Sequence, residues 1–193
     1  MAHKLKIVAV SGGLQRPSRT LALVEQLLEG LAAAGPVAQT RLIELGEIVP
    51  KFGNVLQRAQ LPPEVESILR DIETADLLLV ASPIYRGSYT GLFKHLFDFV
   101  HHESLIDVPV LLAATGGSDR HALAIDHQLR PLFSFFQAHT LPIGVYATDK
   151  EFDNYRVSND ALRARIALAV ERAVPVLRQR AERPLTVPTL ALV

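Results

Sequence analysis

The segment Asp76-Leu-Leu-Leu-Val-Ala-Ser-Pro-Ile-Tyr85 is one apolar run, broken at Ser82-Pro83. A strand with one wet face alternates apolar and polar residues. A short run without alternation marks a strand covered on both faces, the habit of parallel sheets. Val108–Thr115 has the same character and ends at Gly116-Gly117. Upstream, Lys4–Val10 is rich in β-formers and ends at Ser11-Gly12-Gly13, and Thr40–Leu45 alternates. Pro142–Thr148 supplies a fifth strand.

Helical periods separate these runs. From Arg19 to Ala34, the residues Leu21, Val24, Leu27, Leu28 and Leu31 recur at spacings of three and four, and Gly35-Pro36 stops the pattern. Gly46 to about Leu61 reads as a loop, and Pro62-Pro63-Glu64 opens a helix whose face is Val65, Ile68, Leu69 and Ile72. Tyr89–His101 is predicted helical with Leu92, Leu96, Phe97 and Val100 inward, and Arg120–Ala138 is predicted helical throughout. Ser158 or Asn159 caps a last helix running to about Arg180.

Five β-runs alternating with helices imply an α/β fold, a five-stranded parallel sheet with helices on both faces. The strand count favours the flavodoxin-like order 2-1-3-4-5, a three-layer sandwich, over a dinucleotide-binding Rossmann order. Residues 1–181 form this one domain; residues 182–193 form a tail, either disordered or packed on a partner subunit.

Composition excludes several functions. Twenty Lys and Arg balance twenty Asp and Glu in the 193 residues, which argues against a polyanion-binding surface. The absence of Cys removes disulfides, thiolate metal sites, iron–sulfur clusters and a thiol nucleophile. Redox chemistry, if present, must belong to a bound cofactor. No apolar run approaches the ~20 residues of a membrane span, and no signal-peptide core is visible, so a cytoplasmic protein without membrane or nucleic-acid partners is expected. His95, His101, His102 and Glu103 lack the spacing of a metal site and read as a solvated helix end; no metal site is assigned.

Ligands of open α/β sheets bind beyond the carboxyl ends of the strands, here between strands 1 and 3. Three marked loops meet there: Ser11-Gly-Gly-Leu-Gln-Arg-Pro-Ser-Arg-Thr20, Ser82-Pro-Ile-Tyr-Arg-Gly-Ser-Tyr89 and Thr115-Gly-Gly-Ser118. The first leads into a helix N-terminus and brings hydroxyls at Ser11, Ser18 and Thr20 with cations at Arg16 and Arg19. That set suits a terminal monophosphate. An ordinary capped turn with surface arginines is the plain alternative. Pro83, Ile84 and Tyr85 can cover the face of a flat ring, with the backbone around Arg86-Gly87-Ser88 at its edge. Gly116-Gly117 lets backbone N–H groups approach closely, a small nest for developing negative charge.

These three stretches, with Thr90-Gly-Leu-Phe-Lys94 continuing the second, resemble the NAD(P)H-dependent FMN reductases of flavodoxin-like fold, particularly those that serve two-component monooxygenases in methanesulfonate and alkanesulfonate use. The resemblance extends to about Arg180. It implies that Ser11, Arg16, Ser18, Arg19 and Thr20 hold FMN phosphate, and that Pro83, Ile84, Tyr85, Arg86, Thr115, Gly116 and Gly117 hold the isoalloxazine. It departs at Gly12-Gly13-Leu14-Gln15-Arg16, where the commoner loop has Gly-Ser-x-Arg.

The resemblance further implies a π-bulge in the helix after Gly117, with His127 at the inserted place, and weak flavin retention. No side-chain acid or base is assigned to catalysis. The implied reaction is hydride transfer from NADH (favoured) or NADPH to FMN, which then passes reduced to a flavin-dependent monooxygenase. A quinone or azo reductase with tightly held FMN, or a non-enzymatic electron carrier, is the alternative. Leu132-Phe133-Ser-Phe135-Phe136 puts aromatics on both faces of its helix, which suggests a subunit contact; a homodimer or homotetramer is expected.

Overall fold

The structure, a computed structural model, describes residues 5–182. Strand β1 (Leu5–Ser11) is followed by α1 (Arg19–Ala34), β2 (Val37–Glu44), α2 (Leu45–Phe52), a 3-10 turn (Arg58–Gln60) and α3 (Pro63–Glu73). Then come β3 (Leu77–Pro83), α4 (Gly91–Asp98) and β4 (Pro109–Gly116). A 3-10 turn (Asp119–His121), a π-helical segment (Ile125–Leu129) and α5 (Arg130–Phe135) lead to β5 (His139–Thr140) and β6 (Val145–Thr148). A 3-10 turn (Asp149–Glu151), a hairpin of β7 (Phe152–Asp153) and β8 (Arg156–Val157), and α6 (Asp160–Glu182) complete the described residues.

The sheet order is β2-β1-β3-β4-β5, all parallel, with β6 also paired to β4. This is the order expected from the strand count. The period of two explains the apolar runs. Leu77, Leu79 and Ala81 of β3 face α1 and α6, together with Ile7, Ala9, Leu111 and Ala113. Leu78 and Val80 face the opposite layer, with Val8, Val10, Val110, Leu112 and residues of α2 to α5. Both faces of β3 are therefore buried.

Four local expectations change. The stretch after Gly46 begins with a helix, α2, whose Leu45, Ile48 and Phe52 are buried; Gly46 and Pro50 disguise a face spaced by three and four. Helix α4 is shorter than Tyr89–His101; Leu96 and Phe97 are buried as expected, Phe93 joins them, and Leu92 is only partly covered. The long helix over Arg120–Ala138 is three segments, and Leu123 is exposed. The fifth strand is split around residues 141–144, where Arg130 donates to the Leu141 and Pro142 carbonyls that a ladder would otherwise use.

Asn159 caps α6, its Oδ1 accepting from the Leu162 N–H at 3.0 Å. Glu182, placed in the tail by the sequence, is the last residue of α6; the rest of the expected tail lies outside the described residues.

Candidate functional site

The three marked loops leave the carboxyl ends of β1, β3 and β4, neighbours in the sheet. Ser11 ends β1, buried, between Glu44 of β2 and Ala81 of β3. The Gly12 N–H donates to the Ala81 carbonyl at 2.7 Å. A Cβ there would lie 2.8 Å from Phe93 and 2.9 Å from that carbonyl oxygen, so only glycine allows the loop to pass so close.

Ser18 is the N-cap of α1, its hydroxyl accepting from the Leu21 N–H at 3.2 Å. The backbone N–H groups of Leu14, Gln15, Arg16, Ser18, Arg19 and Thr20 find no acceptor among the described residues. Of these residues, Leu14, Gln15, Arg16 and Ser18 line a cavity of about 140 Å³ whose wall also includes Ser11, Gly13 and Glu44. Free amides at the positive end of a sixteen-residue helix make an anion cradle.

Each candidate of the first loop has a definite place. Ser11 and Ser18 line the cavity. Arg16 stands at its outer edge, its Nε donating to Glu44 at 2.8 Å and its Nη2 also bonded to Glu44. Arg19 turns towards the β6 side, with Nη1 3.6 Å from Asp149 and its guanidinium 5.0 Å above the Tyr155 ring. Thr20 is buried, and its hydroxyl meets that of Thr115 at 2.6 Å, joining the first loop to the third.

In the second loop the Ile84 N–H donates to the Thr115 carbonyl at 2.8 Å, and the Ile84 side chain is buried. Tyr85 is 53% exposed, the most open aromatic at this rim. Tyr85 and Ser88 exchange backbone bonds at 2.8 and 3.3 Å around Arg86 (φ 55°) and Gly87 (φ 84°). Two positive φ values are the signature of a type I′ turn, which costs Arg86 some strain and Gly87 none. The turn is pinned from outside the loop: Ser88 Oγ and Gln128 Oε1 lie 3.0 Å apart.

The third loop begins at buried Thr115. A Cβ on Gly116 would collide with the Tyr146 hydroxyl, which donates to the Ser118 carbonyl at 2.6 Å. Burial, with Asp119, Asp149 and Glu151 nearby, raises the Tyr146 phenol above its usual range and keeps it a donor. Gly117 has nothing closer to its Cβ position than Asp149 at 3.8 Å. The amides of Gly117 and Ser118 find no acceptor among the described residues. Beyond them, the Arg130 N–H reaches the Ile125 carbonyl five residues back, the mark of a π-turn, and exposed His127 sits at its middle.

Sequence reasoning missed Glu44, Glu47, Gln128, Asp149 and Tyr155. Only Tyr155 had a local signal, in the turn-forming Asp153-Asn154 before it; the hairpin tip holds Asn154 at φ 45° and Tyr155 at φ 62°. The others reach the site only through tertiary packing.

Comparison with known proteins places the chain in a family. The family model described as NADPH-dependent FMN reductase matches residues 5–153. An FMN reductase (NADPH) of Pseudomonas aeruginosa is 59% identical over 182 residues, covering 94% of this chain and 97% of the relative. The NADH-dependent FMN reductase SfnF of Pseudomonas fluorescens is 60% identical over 176 residues, covering 91% and 94%. Among solved structures, an oxidoreductase from Corynebacterium diphtheriae superposes with a TM-score of 0.79 at 31% identity, covering 92% of this chain and 99% of that one. The apo form of the NADH:FMN oxidoreductase EmoB gives 0.75 at 27% identity, covering 91% and 89%. The chain belongs to the NADPH-dependent FMN reductase family.

Proposed function

We propose that this protein is a cytoplasmic FMN reductase that takes hydride from NADH and releases reduced FMN to a separate flavin-dependent monooxygenase in organosulfur utilisation. The observation that carries the reading is the pair of partnerless amide clusters, at residues 14–20 and at Gly117-Ser118, tied together through the Thr20–Thr115 bond. FMN is an anion joined to a flat ring whose N1–C2=O edge gains negative charge on reduction. One cluster fits each end, so the residues present fit the group.

In this reading Ser11, Ser18 and the amides of the first loop hold the phosphate, with Arg16 and Arg19 near them. Pro83, Ile84, Tyr85 and Arg86 bound the ring on one side, and Thr115, Gly116 and Gly117 hold its polar edge. Bound FMN supplies a ring that accepts hydride and later gives up two electrons. The protein's share is positional: it fixes the two amide clusters relative to each other and leaves Tyr85 open to a nicotinamide. His127 in the π-turn keeps the flavin exchangeable, and exposed Phe135 belongs to a contact between subunits of a homodimer or homotetramer.

The relatives named above carry both NADPH and NADH in their names, so similarity does not choose the donor. The resemblance seen in the sequence favours NADH. The test is nicotinamide oxidation by the purified protein. A colourless protein that oxidises NADH faster than NADPH, and only when FMN is added, supports the reading. A yellow protein that reduces quinones without added FMN, or one that oxidises neither nicotinamide, overturns it.

A further inference from the structure

The wall of the phosphate cavity carries a feature that a simple anion site lacks. Glu44, the last residue of β2, lies opposite Ser11 in the ladder, and it and Glu47 both line the cavity. Gly46 locks them there. Its N–H donates to the Gly13 carbonyl at 3.1 Å, and a Cβ on Gly46 would lie 2.8 Å from the Leu14 carbonyl oxygen, so the β2–α2 corner rests directly on the loop backbone.

Arg16 Nε and Nη2 are both turned onto Glu44, and Nη2 lies 3.4 Å from Glu47 Oε1. One cation therefore faces two carboxylates. Glu44 is the inner one, its side chain 15% exposed against 64% for Glu47. An arriving phosphate meets free amides on the loop side and a net negative edge on the β2–α2 side.

We propose that Glu44 sets the affinity for FMN by competing with its phosphate for the Arg16 guanidinium, which keeps the flavin a dissociable substrate. The proposal rests on the phosphate reading given above. Arg16 is 62% exposed, so its ion pair is worth little in water and exchanges readily. Repulsion between Glu44 and a dianion on the same cavity wall acts in the same direction. The opposite arrangement, with Glu44 aiming Arg16 at the phosphate, would make Glu44 a helper; the two differ in sign.

The test is calorimetric titration of wild type and Glu44→Gln with FMN and with riboflavin, which lacks the phosphate. Competition predicts that Glu44→Gln lowers the FMN Kd by about three- to tenfold and leaves riboflavin unchanged. In an Arg16→Ala background Glu44→Gln should lower the FMN Kd by a smaller factor than in wild type; an equal factor would mark repulsion alone and overturn the competition. An FMN Kd that stays the same or rises, while wild type still prefers FMN to riboflavin, overturns the proposal and leaves the phosphate reading standing. Wild type binding riboflavin as tightly as FMN overturns both. If Glu44→Gln does not fold, Glu47→Gln, exposed and outside the ladder, should lower the FMN Kd by a smaller factor; no change would count against the competition.

Discussion

The chain makes two Gly-Gly turns at the rim of its sheet, Gly12-Gly13 after β1 and Gly116-Gly117 after β4. They look alike in sequence and are built differently. The first is packed from below, since Gly12 touches Phe93 and the Ala81 carbonyl, and it feeds an uninterrupted helix. The second is packed from one side only: Gly116 covers the Tyr146 hydroxyl, while a Cβ on Gly117 would meet Asp149 at an ordinary 3.8 Å. It feeds a 3-10 turn and a π-segment before any regular helix. A rigid turn before a long helix suits a fixed charge such as a phosphate. An open turn before an irregular helix suits a ring that changes its charge and has to leave.

Alanine substitutions at the glycines should break the comparison most visibly. Gly12→Ala meets backbone and a buried ring, and about 3 kcal/mol of stability should be lost. Gly116→Ala displaces a hydroxyl that can move, costing about 1–2 kcal/mol, part of which Tyr146→Phe should restore. Gly117→Ala should stay within about 0.5 kcal/mol of wild type in chemical denaturation, while weakening flavin binding. Equal losses at Gly12 and Gly117 would show that the two turns are packed alike.

The tie between the turns comes next. Thr20→Val leaves the buried Thr115 hydroxyl without its partner, at about 1–3 kcal/mol. Thr20→Val with Thr115→Val should cost less than the sum of the single changes, a coupling readable in a double-mutant cycle.

Deleting His127 should return the π-turn to α-helical register. FMN should then survive gel filtration bound to the protein, with transfer to the monooxygenase slowed severalfold. A deletion variant that stays colourless with full transfer would separate the π-turn from flavin release.

The smallest effect concerns acid. Burial pushes the Glu151 carboxyl up, but the Thr148 amide at 2.8 Å, the Arg165 guanidinium at 2.6 Å and the Thr148 hydroxyl outweigh it, and the carboxyl ends below its ordinary range. A depressed carboxylate stabilises the fold above the ordinary range, and this contribution is lost as pH falls through the depressed value. Glu151→Gln should therefore flatten the stability profile as pH falls below the ordinary carboxylate range of about 4–5, with little change in its shape at higher pH.

Much of this was legible in the sequence where the determinant was local. Leu77–Val80 announced a doubly covered strand because both faces of β3 carry apolar side chains onto helices. The loops could be assigned to one rim because parallel connectivity brings every strand's carboxyl end to the same side. Helix α2 escaped notice because Gly46 and Pro50 read as breakers, whereas Gly46 is there for the close approach to Leu14. The engagement of Arg16 was invisible for another reason: its partner, Glu44, is twenty-eight residues away and arrives only through the β1–β2 ladder. Gly116 read as a place where backbone N–H groups approach closely; its φ is not positive, and a Cβ there would collide with the Tyr146 hydroxyl, a contact the sequence did not show.

The central claim is that the first turn reads the phosphate and the second reads the ring. Backbone amide chemical shifts measured while the isotopically labelled protein is titrated with FMN and, separately, with riboflavin test it most directly. The account predicts that the amides of residues 14–20 move with FMN and stay still with riboflavin, while those of Gly117 and Ser118 move with both. Movement of residues 14–20 with riboflavin as large as with FMN, or no movement there with either flavin, would contradict it.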